Sequence, residues 1–235
     1  MQTLTARLNL AHDYGMLGDP ERSVSLYEQL LSDCERGFGA DHPLTLASRS
    51  NLASAYAAAG DLAQAIPLHQ RALSERERVL GADHPFTLAS RRNFAYAFVL
   101  AGDLEQAISL YERSLSDSER VLGPGHPQTL LSRRKLADTY AAAEDWNLSI
   151  AANEQALSEC ERVLGPDHLQ TLVSRSQLAR ACTAAGDLHR AARLYERVLS
   201  DLERTVGPNH PQTTTSRSTL ADICRRELGP SHSPA

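Results

Sequence analysis

His42, His84, His126, His168 and His210 follow one another at intervals of 42 residues, and nothing interrupts that interval. The same step carries Asn9 to Asn51 and Asn93, then on to Lys135, Gln177 and Thr219. It also carries Gly18-Asp19 to Gly60-Asp61, Gly102-Asp103, the degenerate Glu144-Asp145, and Gly186-Asp187. A strict period of this length means one supersecondary unit copied along the chain, each copy burying its apolar face against the next. With no insertion in the register, the expectation is a single array without a linker or a second domain. Its repeats run over about 1–38, 39–80, 81–122, 123–164 and 165–206, followed by a closing helix over 207–228 and a frayed tail over 229–235. Thr3-Leu4 and Asn9-Leu10-Ala11 align with Thr45-Leu46 and Asn51-Leu52-Ala53, so the first copy lacks its His-Pro loop and reads as a segment of something longer.

Each unit contains two helical stretches. Helix A is expected from about Pro43 to Ala59, where Leu46, Leu52, Ala53 and Tyr56 recur at helical spacing. Pro43 suits a first turn, Asp41 or His42 lies near the cap, and Gly60 stops the helix. Helix B is expected from about Leu62 to Leu80, with Ala65, Leu68, Ala72, Leu73 and Val79 as its buried stripe and Gly81 as a left-handed end residue. Neither helix can bury its stripe alone, so the pairs must stack into an all-α solenoid.

The period alone also fits other helical repeats or a propeller, but strand alternation and a Trp-Asp dipeptide are missing. Leu52-Ala53-x-x-Tyr56, then Gly60-Asp61-Leu62, Ala65 and Ala72-Leu73, is the residue order of a tetratricopeptide repeat. Ala53, Ala65 and Ala72 let paired helices approach closely while Leu52 and Tyr56 fill the space between them. The run from Glu77 through Gly81-Ala82-Asp83-His84-Pro85, with Thr87-Leu88 and Asn93-Phe94-Ala95, resembles the repeats of kinesin light chains and of bacterial arrays similar to them. That resemblance covers essentially the whole chain. It implies a right-handed α-solenoid superhelix of about five tetratricopeptide helix pairs plus a C-terminal closing helix, with A helices lining a concave face that holds an extended peptide.

A net charge of -5 gives no basic surplus for phosphates, so nucleic acid is not an expected partner. No stretch approaches the roughly 18 apolar residues of a membrane span, and no signal-peptide core follows Met1. Cys34, Cys160, Cys182 and Cys224 form no Cys-x-x-Cys pair and fall within helices, which reads as reduced thiols in a cytoplasmic protein. Lys135 is the only lysine among 24 basic residues, a skew that suggests GC-rich coding and a bacterial source.

The histidine ladder invites a metal reading, but zinc ligands must converge within about 2.3 Å of one ion. Histidines one repeat apart lie about a helix-packing distance, roughly 10 Å, from each other. The expectation is that each imidazole, with Asp41, Asp83 or Asp167, braces its turn and caps the next helix. Ser48, Ser90, Ser132, Ser174 and Ser216 recur in mid-helix rather than on a nucleophile elbow, and no phosphate loop or metalloprotease motif is present. Chemistry repeated identically at every step marks a scaffold. No enzyme, metal or cofactor is expected.

Arg49, Arg91, Arg133, Arg175 and Arg217, with Arg7 in register, each follow a glutamate on the preceding helix B: Glu35, Glu77, Glu119, Glu161 and Glu203. An inter-repeat Arg–Glu ladder with buried stems is expected, each pair contributing about 0–1 kcal/mol if exposed. The alternative turns these arginines into the groove as ligands.

The concave positions implied by the resemblance differ between repeats. They place Asn51 and Ser54, then Arg92, Asn93 and Tyr96, then Arg134, Lys135 and Asp138, then Gln177 and Arg180, on the peptide-binding groove. Asn51 and Asn93 match asparagines with which kinesin light chains hold a peptide backbone, whereas Lys135, Gln177 and Thr219 depart from that pattern. The central repeats are basic, which favours an acidic or C-terminal peptide segment of a protein partner. Repeat four carries Glu144-Asp145-Trp146-Asn147 for Gly-Asp-Leu, Ser149 for a close-packing alanine, and Asn153 where Tyr27, Tyr111 and Tyr195 stand, so a looser pair is expected there. Two other readings stay open: a regulatory segment packing on its own neighbouring domains, and self-association through an apolar flank of Leu4, Leu8, Leu10 and Tyr14.

Overall fold

The punctuation of each unit sets where its helices begin and end. A computed structural model describes residues 2–228 of the chain, with side chains from 4 to 226. Among them are eleven helices: α1 Gln2–Met16, α2 Pro20–Phe38, α3 Pro43–Ala58, α4 Leu62–Leu80, α5 Pro85–Ala101, α6 Leu104–Leu122, α7 Pro127–Ala142, α8 Trp146–Leu164, α9 Leu169–Ala184, α10 Leu188–Thr205 and α11 Pro211–Leu228. No strand occurs among the described residues, and the expected tail at 229–235 lies outside them. The chain divides into two compact units, Met1–Val121 and Leu122–Ala235. In each, consecutive helices pack pairwise along the chain.

Each loop before an A helix is built the same way, with proline after the histidine except at His168-Leu169. The Nδ1 atoms of His42, His84 and His126 accept from the backbone N–H two residues on at 3.2 Å, those of His168 and His210 at 3.1 and 3.3 Å. The histidines are thus helix caps, each followed by the first-turn residue. Thr45, Thr87 and Thr213 donate their hydroxyls to the carbonyls of Gly39, Gly81 and Gly207 at 2.8 Å, tying the loop to the end of the previous helix. Gly81 sits at φ 89°, a backbone conformation closed to most side chains. At the short turn within each pair, Asp19, Asp61, Asp103, Asp145 and Asp187 accept from a backbone N–H three residues on.

The loop aspartates do something other than the expected capping. Asp41 binds Arg78, Asp83 binds Arg120 and Asp167 binds Arg204, each arginine lying 37 residues further along. The reach is one repeat, so each pair ties one loop to the next across the open surface. Hydrogen bonding to the guanidinium holds these carboxyls below their usual range. In repeat four Gly125 stands in the aspartate's place, and Arg162 turns to Glu159 on its own helix at 2.7 Å.

The Arg–Glu ladder is present and stronger than expected. Arg49 meets Glu35 at 2.5 Å, Arg91 meets Glu77 at 2.6 Å, Arg175 meets Glu161 at 2.7 Å and Arg217 meets Glu203 at 2.6 Å. A second carboxylate, 26 residues ahead on the following helix B, takes the other end of the fork: Glu75 for Arg49, Asp117 for Arg91, Asp201 for Arg175. Arg7 meets the forward partner, Asp33, at 2.7 Å. The three doubly clamped side chains are 1% exposed, so they are neither surface pairs nor groove ligands. In repeat four Arg133 donates to the Gln155 carbonyl at 2.6 Å.

The hydrophobic layer lies between the helices of each pair. Ala53, Ala65, Ala95 and Ala107 are wholly buried in the first unit, and Ala179 and Ala191 in the second. Leu4 and Leu8 pack inward against the cluster of Ala11, Tyr27, Leu30 and Leu52 and Tyr14 is half-buried, so of the apolar flank expected on α1 Leu10 is exposed, with Met16 and Leu17 exposed further along. Two positions in α4 carry unusual polar residues. His69 takes the place of Tyr27 and Tyr111, is 2% exposed and stacks on Phe94, and burial lowers its pKa from 6.5 to about 4. Arg76 takes the place of Cys34 and Ser118, donating to the carbonyls of Leu46 and Phe86 at 3.3 and 3.1 Å.

Two tests follow from this packing. Truncating Arg91 to alanine removes a buried stem and leaves two partly exposed carboxylates without their shared cation, and is expected to cost about 2 kcal/mol in urea unfolding. Arg120→Ala, on the open surface, leaves the unfolding midpoint nearly unchanged; equal losses for both variants would contradict the seam's role. His69 is neutral when folded, while the unfolded chain protonates near 6.5, so stability falls as pH drops from there toward about 4. The expected share of that loss is about 2 kcal/mol by pH 5 or so, and His69→Tyr should remove it, read as a shallower pH dependence of the midpoint.

Candidate functional site

The variable positions of the A helices fall into two groups, one in each unit. In the first unit Asn51 and Ser54 on α3 line a cavity of about 300 Å³ with His12, Pro20, Ser23 and Tyr27. Ser54 spends its hydroxyl on the Ser50 carbonyl at 3.1 Å, and Ser50 itself is buried. On α5, Arg92 and Asn93 are half-buried and Tyr96 is exposed. Burial lowers the Arg92 pKa, with the charge of Tyr111 acting in the opposite direction.

In the second unit the structure gathers three of the candidates. Asp138 on α7 and Gln177 and Arg180 on α9 line one cavity of about 580 Å³. Trp146, Ser149 and Asn153 of α8, Tyr195 of α10, and Thr219 and Arg226 of α11 complete its wall. Arg134 lies apart, on an apolar cavity of about 390 Å³ beside Leu130, Leu131, Val163, Leu164 and His168. Gln177 and Arg180 also border a third hollow of about 400 Å³ with Leu172, Val173 and Leu202. Lys135 is half-buried and borders none of these three.

Repeat four makes the large cavity. Where Tyr27, Tyr111 and Tyr195 fill the space between paired helices, Asn153 stops short and donates to the Ser149 carbonyl in its own helix at 2.9 Å. Ser149 is 1% exposed and its hydroxyl has no hydrogen-bond partner among the described residues. Its counterpart Ser23 donates to the Ala11 carbonyl at 2.8 Å. Trp146 is half-buried at the head of α8, after a turn in which Glu144 takes φ 60° in the position elsewhere given to glycine. Partial desolvation raises the Asp138 pKa, against the pull of Lys135, Arg134 and Arg180.

Sequence reading marked Trp146, Ser149 and Asn153 as oddities without joining them to Asp138, Gln177 and Arg180. Tyr195 and Arg226 were missed as cavity residues, and the signal available was the tyrosine register with its one amide. The recurring serines are held inside the seams, Cys34 facing Ser48 and Cys160 facing Ser174. Among the described residues no group of three metal-ligating side chains converges, and no helix is long and apolar enough to cross a membrane.

The tetratricopeptide repeat model matches residues 2–74, 49–118, 97–158 and 134–204. Among solved structures, the nearly identical kinesin light chain-like repeats of Podosopora anserina superpose with a TM-score of 0.78 at 30% identity, over 86% of this chain and 96% of that one. BtubC (BKLC) from P. vanneervenii gives 0.67 at 16% identity over 92% and 95%, and a thermophilic tetratricopeptide repeat protein of Thermus thermophilus gives 0.57 at 21% over 94% and 98%. A search of curated proteins found no match. With the family model spanning most of its length and its helices stacked as an α-solenoid, the chain belongs to the tetratricopeptide repeat family, in the kinesin light chain-like group.

Proposed function

We propose that this chain is a non-catalytic, cytoplasmic scaffold whose repeats act as one array and bind an extended acidic segment of a partner protein along the A helices. The family mediates protein–protein interaction, and one observation supports the finer reading. The recurring arginines Arg49, Arg91 and Arg175 are consumed inside the seams, so ligand contact falls to the positions that vary. Those positions are Asn51, Ser54, Arg92, Asn93 and Tyr96 in the first unit and Arg134, Lys135, Asp138, Gln177 and Arg180 in the second. Amides there can both donate to and accept from a main chain, and guanidinium groups suit carboxylates.

A self-associating module is the second reading. Leu10, Met16 and Leu17 on and after α1 are 45%, 76% and 81% exposed, an apolar edge able to meet another copy.

Fluorescence anisotropy with labelled acidic peptides should show binding that weakens with salt and falls about tenfold or more in Arg134→Glu. Equal affinity for acidic and basic peptides would overturn the groove assignment. For the second reading, light scattering across a concentration series should give a rising mass that Leu17→Glu lowers, and a constant monomer mass removes it.

A further inference from the structure

The large cavity of the second unit carries charges that its own walls do not use. Asp138 and Arg180 both border it and act on each other through space, yet among the described residues no ion pair within 4.0 Å joins them. Arg226 lies on the same wall, also without an ion pair among the described residues. All three side chains are exposed, so their charged ends are open to a guest. An acid and two cations held apart around a hollow of about 580 Å³ present the counter-image of a guest with one positive and two negative groups.

The cavity floor gives a second, independent sign. The Ser149 hydroxyl is buried with no partner among the described residues, a state that ordinarily costs about 1–3 kcal/mol unless something else satisfies it. Asn153 beside it has its amide nitrogen engaged by the Ser149 carbonyl, which directs its remaining hydrogen-bonding capacity elsewhere. Trp146 and Tyr195 supply aromatic walls on either side. The hollow therefore combines apolar sides with polar groups converging from α7, α8, α9 and α11, as small-molecule sites do.

We infer that this cavity binds a free acidic amino acid, its ammonium group on Asp138 and its two carboxylates on Arg180 and Arg226, so that the array also senses a small ligand. This goes beyond the peptide reading and does not depend on it. Charge-assisted bonds of this kind are stronger than neutral ones, which lets a guest of few atoms hold in a half-open site. A guest ammonium would also draw the raised Asp138 pKa back down, so binding should weaken below the pH at which Asp138 protonates. Lys135, Arg134 and Arg180 are the cations facing that carboxylate and oppose its protonation throughout.

The test is calorimetric titration of the whole chain with L-glutamate and L-aspartate, alongside glutarate and N-acetylglutamate, which lack the ammonium group. Binding of the amino acids, with the two ammonium-free compounds weaker by about tenfold or more, is the expected result. Asn153→Tyr refills the hollow with the side chain used at 27, 111 and 195, and should abolish binding while leaving acidic-peptide anisotropy unchanged. Asp138→Asn, checked for an unaltered helical circular dichroism spectrum, should abolish binding of the amino acids by removing the ammonium partner. No heat with either amino acid, equal binding of N-acetylglutamate, or undiminished binding in both variants overturns the assignment. Tighter binding of the tripeptide Glu-Ala-Ala than of glutamate overturns the free amino acid in favour of the N-terminus of a protein chain.

Discussion

A guanidinium taken out of water must have its terminal nitrogens hydrogen-bonded, and the seams of this protein meet that requirement with carboxylates at Arg49, Arg91 and Arg175 and with carbonyls at Arg76. Arg91 receives Glu77 from the helix before it and Asp117 from the helix after it, and Arg49 and Arg175 are served in the same way. Burial without such acceptors would leave a charge whose desolvation outweighs any packing gain. With both carboxylates in place, each rung ties three successive helices together, and only one spacing between helices satisfies it. The hydrophobic layer alone, built of alanine and leucine, would tolerate small slips between neighbours. Paired carboxylates on a rigid fork do not.

The same constraint separates structure from recognition. A scaffold that repeats its stabilising polar groups at fixed positions frees the remaining polar positions to vary. Arg92, Arg134 and Arg180 share helices with the seam arginines but face a different direction, and their neighbours change from one repeat to the next. Repeat four carries this furthest: losing a tyrosine at 153 and an aspartate at 125 removes one plug and one surface tie. The family gives protein binding as the general role, and these departures are where a particular ligand would be chosen.

Helix limits were legible because proline, glycine and the histidine cap punctuate most units; α4 runs from Leu62 to Leu80 as its stripe and Gly81 imply. The ladder was half legible. Its backward glutamate is one residue type repeated in register along the chain, whereas its forward carboxylate recurs at the same step as a mixture, Asp33, Glu75, Asp117, Glu159 and Asp201, which is harder to see as one position. The loop aspartates were misread because a carboxylate beside a helix start is normally a cap, and here the histidine already holds that N–H. The cavity was hidden for a different reason. A void is defined by what a side chain fails to fill: the register of Asn153 with Tyr27, Tyr111 and Tyr195 marks a looser pair, but which residues of the neighbouring helices line the space is set only in three dimensions. His69 escaped notice at the same register position, since an imidazole of similar shape simply takes the tyrosine's room.

The doubly held fork also bears on the scarcity of lysine. An ammonium is one compact point of charge, able to face one carboxylate squarely, whereas a guanidinium offers separate nitrogens aimed along two directions. A seam that must reach backward to Glu77 and forward to Asp117 from one stem can be built with arginine and not with lysine. Genomic base composition is therefore not the sole pressure on these codons: at positions 49, 91 and 175 the geometry of the joint makes the choice, whatever the nucleotide bias of the source.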